Sequence, residues 1–181
     1  MNLRKINMFL VIGMLVTFLA HAISGSLRLA GAGISPETLS AHLCEGFIGL
    51  HVIVTTILTV QTLRARRLSG AGYFRENSTF WARRISGFAV LIPLLAHLYI
   101  FMDAPTDPVR LNVFTTGRLI SQILLVATLA VHIISNVRPA LISFGIRNLR
   151  AFAVDILFVL SVILLLFALA FAVYYIRWMA V

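Results

Sequence analysis

The chain is poor in charge. Asp, Glu, Lys and Arg make up 12% of its 181 residues, and only 6 of them are acidic. That excludes an ordinary soluble globular domain, in which about a quarter of residues are charged. Cys44 is the only cysteine, so an intramolecular disulfide and a thiolate metal cluster are both excluded, and it reads as a small packing residue. Polar sequence is short as well. The longest polar connection runs from Arg64 to Thr79, which is too little chain to fold alone or to hold an active site of its own.

What is abundant is hydrocarbon. Hydrophobic residues account for 60% of the chain, and the mean hydropathy is +0.99. A bilayer core of roughly 30 Å takes about 20 apolar residues of helix. Five stretches qualify, at about 6–27, 39–63, 80–102, 111–137 and 152–176. The sequence therefore predicts an all-α integral membrane protein of five transmembrane helices. A cleaved signal peptide over residues 1–25 is the rival reading of the first stretch. It is disfavoured because cleavage would discard His21, which lies inside the apolar run.

The net charge of +9 raises the question of nucleic acid, and the placement of the charges answers it. Arg4, Lys5, Arg64, Arg66, Arg67, Arg75, Arg83, Arg84, Arg138, Arg147 and Arg150 fall on one side of a five-span topology, against Arg28, Arg110, Arg118 and Arg177 towards the other. This bias predicts a cytoplasmic N-terminus and a multi-pass protein of the cell's inner (cytoplasmic) membrane. The basic face would meet anionic membrane lipid or an acidic partner subunit, and no nucleic acid.

Punctuation between the spans is consistent with this plan. Ser35, Pro36 and Glu37 read as the N-cap, first position and first-turn acid of the second span. Ser69 to Gly72 reads as a turn, and Asn77 or Ser78 as the cap of the third span. Asp103, Pro105, Asp107 and Pro108 break the chain before the fourth, Pro139 either ends or kinks that span, and Gly145 with Asn148 marks the last inner turn.

Four of the five spans carry a histidine deep inside: His21, His51, His97 and His132. An ionisable ring in a bilayer is costly, and neutral imidazole is the commonest protein ligand for metals. A lone histidine of this kind is more often a helix-to-helix hydrogen bond or part of a water-filled cavity. Four on consecutive spans suggest two axial pairs, hence two haems in a four-helix bundle with a fifth helix beside it. At 1.5 Å per residue, His21 lies about 24 Å from the basic boundary at Lys5, and His97 about 20 Å from that at Arg84. His51 lies about 20 Å from Arg64, whereas His132 lies about 9 Å from Arg138 or about 22 Å from Arg147. The first pair, His21 with His97, is thus level towards the outside. The second, His51 with His132, is left at two alternative depths. His42 and Glu45, one turn apart, form a polar patch near the outer end of the second span. It suits proton exchange beside a redox cofactor as well as it suits an interfacial pair.

Two segments resemble a known family. The run FWARRISGFAVLIPLLAHLYIF, Phe80 to Phe101, is similar to the span of succinate dehydrogenase and fumarate reductase cytochrome b subunits. That span opens with Arg-x-Ser/Thr-Gly, here Arg84, Ile85, Ser86 and Gly87, and in di-haem members places a ligand histidine, here His97, thirteen residues after the Arg. His132 to Ile146, HIISNVRPALISFGI, resembles the following helix, with His132, Asn136, Arg138 and Gly145 in the family's places. The chain departs from the family in Val137, where Gly is usual, in Pro139 and in Arg83.

The resemblance implies the single-subunit, five-helix di-haem type. Two haem b groups would be held by His21 with His97 and by His51 with His132. Arg84 and Ser86 would be quinone-site candidates, and a cytoplasmic iron-sulfur subunit and a flavoprotein subunit the partners; His42 and Glu45 join the quinone-site candidates on their own polar patch, and Arg138 is a candidate propionate partner, while Arg84 and Arg138 serve equally well as anchors at the inner face. The resemblance also leans towards menaquinone as the quinone. The alternatives are the di-haem quinone cytochrome of a formate dehydrogenase, hydrogenase or nitrate reductase, and a haem-free transporter or assembly protein whose histidines line a proton path.

Overall fold

The computed structural model describes residues 2–32, 38–69, 78–102, 113–146 and 149–180. They form five helices, α1 (Leu3–Ala30), α2 (Thr38–Ser69), α3 (Ser78–Phe101), α4 (Thr116–Ser143) and α5 (Leu149–Met179), and no strand occurs among them. Each helix contains a stretch long and apolar enough to cross a membrane, so this is a multi-pass membrane protein. Helices are the form in which an open chain satisfies every backbone group where no water is present. Side-chain hydroxyls follow the same rule. In α2, Thr55, Thr56, Thr59 and Thr62 each donate to the carbonyl four residues earlier, at 2.6–2.8 Å.

The helices overrun the predicted spans because a helix does not stop where the hydrocarbon does. α2 continues through Arg64, Arg66 and Arg67 to Ser69, so the expected turn from Ser69 begins at the helix end. α4 starts later than predicted, at Thr116 instead of about 111. The Thr115 hydroxyl caps it by accepting from the Arg118 amide at 3.4 Å. Pro139 does not end α4, which runs on to Ser143. A proline inside a membrane helix removes one donor, and neighbouring groups can absorb that loss. The predicted features at Ser35–Glu37, Gly72, Arg75, Asn77, Asp103–Pro108, Arg110, Arg147 and Asn148 lie outside the described residues.

Two helix ends are closed in the same way. Gly145, at φ +78°, follows the α4 C-cap Phe144; its amide bonds the Ile142 carbonyl, and the Ile146 amide bonds Leu141. Gly31, at φ +94°, does the same for α1, with Gly31 donating to Arg28 and Ala32 to Leu27. This paired pattern needs a left-handed residue, which favours glycine. At Gly31 the Arg177 guanidinium also donates to the Leu29 carbonyl at 2.7 Å.

The chain divides into two compact units, Met1–Ala22 with Glu37–Ser78, and Ile23–Pro36 with Thr79–Val181. In the first, α1 and α2 approach closely at Gly13, where a Cβ would stand 2.6 Å from the Phe47 ring. Thr17 stands beside Cys44 one turn farther along, and Cys44 is buried, as a packing residue would be. In the second unit, α3, α4 and α5 enclose a core of Ile100, Phe114, Phe171 and Tyr174, with Phe101 and Trp178 packed against it. α5 is the most apolar helix, and it carries no histidine.

Candidate functional site

The four spanning histidines are all half-buried, and the units hold two each. In the second unit the ring of His132 on α4 lies against α3. Its Nδ1 is 3.1 Å from the Ser86 hydroxyl, and Gly87 sits so close that a Cβ there would be 3.1 Å from Cε1. Asn136, one turn on, donates its amide to the His132 carbonyl at 2.7 Å, which brings Nδ2 to 3.4 Å from Nδ1. The Ser86 hydroxyl is also 3.2 Å from the Arg83 carbonyl. The hydroxyl, with its proton on that carbonyl, is set to accept from an Nδ1–H, whereas the Asn136 amide is set to donate to a bare Nδ1, so these contacts hold the ring without fixing which nitrogen carries its proton.

His97 on α3 is held in the same manner at another level. Its Nδ1 lies 2.7 Å from Gln122 Oε1 on α4. Phe101 and Phe171 flank the ring, with centroids at 5.0 and 6.2 Å. Ser86 and Gly87 face His132, whereas His97 faces Gln122, so α3 and α4 are antiparallel and the two histidine levels are about 16 Å apart along them. The level of Ser86 is only about 3 Å beyond Arg84 along α3. That favours the shallower of the two depths predicted for His132.

The first unit repeats this spacing. Gly13 faces Phe47 and Thr17 faces Cys44, which makes α1 and α2 antiparallel and sets His51 opposite the Phe9–Leu10 region of α1. His21 lies farther along α1 by roughly 17 Å. Each unit thus offers two histidines at two levels, with nearly equal separation.

The remaining candidates are distributed as follows. His42 and Glu45 do come together, with Nδ1 to Oε2 at 3.5 Å, but both are exposed at 75% and 47%, which makes a weak pair. Arg84 stacks on Phe80 of its own helix, its guanidinium carbon 5.2 Å from the ring centroid, and Phe80 in turn meets Trp81 edge-on. Arg138 is exposed near the end of α4, and no hydrogen bond among the described residues joins it to His132. Ser86, a quinone-site candidate on the resemblance, is buried with its hydroxyl on His132. Ser86→Ala is therefore expected to loosen that ring at a cost of about 0.5–1.5 kcal/mol. A lower unfolding midpoint and changed His132 ring shifts by 15N NMR would register it; unchanged shifts would mean that Asn136 alone sets the ring.

Gln122 was not among the predicted site residues. It is fully buried, and in the sequence its one signal is an amide, next to Ser121, at the start of the apolar run 123–127. A haem would draw nitrogen ligands from histidines of the chain, and His97, with Nδ1 on the Gln122 oxygen, suits that demand, because a metal-binding imidazole donates its other N–H to a neighbouring acceptor. Among the described residues no three His, Cys, Asp or Glu side chains gather as a protein-only metal site would need. No protein-family model, curated protein or solved structure matches the chain.

Proposed function

We propose that the chain is the membrane anchor and two-haem b cytochrome of a succinate:quinone oxidoreductase, passing electrons between a cytoplasmic iron-sulfur subunit, with its flavoprotein partner, and membrane quinone. His21 and His97 would hold one haem, and His51 and His132 the other. A bound b haem supplies one-electron redox chemistry at its iron. The chain's own residues supply ligation and orientation: Ser86 and Gln122 aim the two rings of α3 and α4, and the apolar spans keep water from them. The pair His42 and Glu45 is the candidate for proton exchange with quinone, and Arg84 a candidate for its carbonyl. The excess of Arg and Lys at one end of the spans supports a cytoplasmic N-terminus in the inner membrane.

The observation that carries the reading is the repeated spacing. Two units of the chain each present two spanning histidines about 16 and 17 Å apart along antiparallel helices, the outbound helix bearing one and the returning helix the other. A helix-to-helix hydrogen bond needs no such repeat. The Arg84 to His97 motif then favours the succinate dehydrogenase and fumarate reductase family over other quinone cytochromes.

The test is a reduced-minus-oxidised spectrum of the purified chain with haem quantified per polypeptide. Two b haems are expected. One haem would remove the His51 and His132 pair, and no Soret band would sink the reading in favour of a haem-free transporter or assembly protein. Co-purification with a flavoprotein and an iron-sulfur protein is expected in the native membrane; formate dehydrogenase, hydrogenase or nitrate reductase subunits in their place would overturn the family assignment.

A further inference from the structure

The geometry points to Gln122 as the positioning residue of His97: it fixes which ring nitrogen carries the proton, and so which one is left to bind iron. The part concerning iron rests on the haem reading above. The part concerning the proton does not.

A fully buried primary amide in an apolar span is costly unless its groups are bonded. Leucine would fill a similar volume without that cost. Gln122 has partners on both sides, and the chain of bonds has a readable direction. Ser121 Oγ lies 2.7 Å from the Arg118 carbonyl, which can only accept, so the hydroxyl proton is committed there. The hydroxyl lone pairs are what remain for Gln122 at 3.1 Å, and they demand the amide NH2. That turns Oε1 towards His97 at 2.7 Å. An amide oxygen cannot donate, so His97 must carry its proton on Nδ1. Nε2 is then the basic nitrogen.

Three consequences follow. The relay transmits orientation but not protons, because it ends on a backbone carbonyl and its amide has no labile proton to pass on. It also raises the basicity of Nε2, since an acceptor on Nδ1–H strengthens the donor nitrogen opposite. A stronger donor favours ferric over ferrous iron, which lowers the midpoint potential of that one haem. Finally, the ring is fixed from α4 while it grows from α3, so its orientation depends on the register of the two helices.

The experiment uses the purified full-length chain and the variants Gln122→Leu, Gln122→Glu and Ser121→Ala. In an optical redox titration, Gln122→Leu is expected to raise the midpoint of the haem component that His97→Ala removes, and to weaken retention of that haem about 10–100-fold. The other component should not move. Gln122→Glu keeps an oxygen acceptor and is expected to restore retention while lowering the same midpoint. Unchanged midpoints in Gln122→Leu, equal shifts in both components, or failure of Gln122→Glu to restore the haem would each overturn the assignment.

The tautomer is read separately, by 15N NMR of His97 in the haem-free chain. A protonated Nδ1 in the native sequence and mixed protonation in Gln122→Leu support the assignment even if no haem is ever found; a protonated Nε2 in the native sequence overturns it. Should Gln122→Leu fail to fold, Ser121→Ala asks the same question by releasing the amide to flip. Mixed protonation of His97 supports the proposal there, and an unchanged ring overturns it.

Discussion

On the two-haem reading proposed above, His97→Ala is expected to abolish one b-haem component and His132→Ala the other, each leaving about one haem per chain in place of the proposed two. The two rings sit on separate levels about 16 Å apart along α3 and α4, one bonded by Gln122 and the other by Ser86. Sites this far apart behave independently, and an alanine methyl offers no nitrogen in place of the one each ring would give to iron. His21→Ala is then expected to reproduce the spectrum of His97→Ala, and His51→Ala that of His132→Ala. Low-temperature difference spectra with haem quantified per chain provide the measurement. Loss of the same component in His97→Ala and His132→Ala would refute two separate sites, and a cross-match with His21 or His51 would reverse the pairing.

The sequence made the five helices legible because hydropathy and bilayer thickness leave little freedom over 20 residues. It did not make their ends legible. α2 carries its basic residues as part of the helix, and the cap of α4 is Thr115, one hydroxyl beyond the prolines Pro105 and Pro108 that mark a break earlier in the sequence. Pro139 is a different matter: in water a mid-helix proline argues for a break, whereas in a membrane continuing the helix is favoured because an open end has no solvent to bond it.

The same division runs through the site. Histidines in hydrocarbon are conspicuous, so all four could be named from composition and spacing. Their partners were hidden because a span read alone has no register against its neighbour. Only the pairing of α3 with α4 shows that Gln122, not another residue of its turn, faces His97. Ser86 illustrates the converse. Its motif marked a small polar residue where helices approach, but which way the hydroxyl points is a property of the packed pair, and it points to His132. The repeated separation of histidines within each unit could likewise be seen only once Gly13 and Phe47, and Ser86 and His132, had fixed the two registers.

Gly87→Val is expected to remove the same haem component as His132→Ala while leaving the His97 component in place. Gly87 has no unusual backbone angle to explain it; its reason is distance. A Cβ at this position would stand 3.1 Å from His132 Cε1, tighter than carbon atoms accept without movement, and in ordinary contact with Nδ1 at 3.5 Å. Alanine asks the ring to yield by a few tenths of an ångström, and a partial loss of haem is expected. Valine adds two methyl groups on a branched carbon with a restricted rotamer, and overpacking of this kind costs about 1–3 kcal/mol. A ring that yields moves relative to Ser86, so the strain falls on the contact that orients it. Separation of α3 from α4 is the other way to relieve it, and that would disturb the His97 level too. The two are told apart in one spectrum: selective loss of the His132 component shows that the glycine makes room for a ligand ring, whereas equal loss of both shows that it sets the distance between the helices, and retention of both would show that the close approach of Gly87 to His132 has no bearing on haem binding.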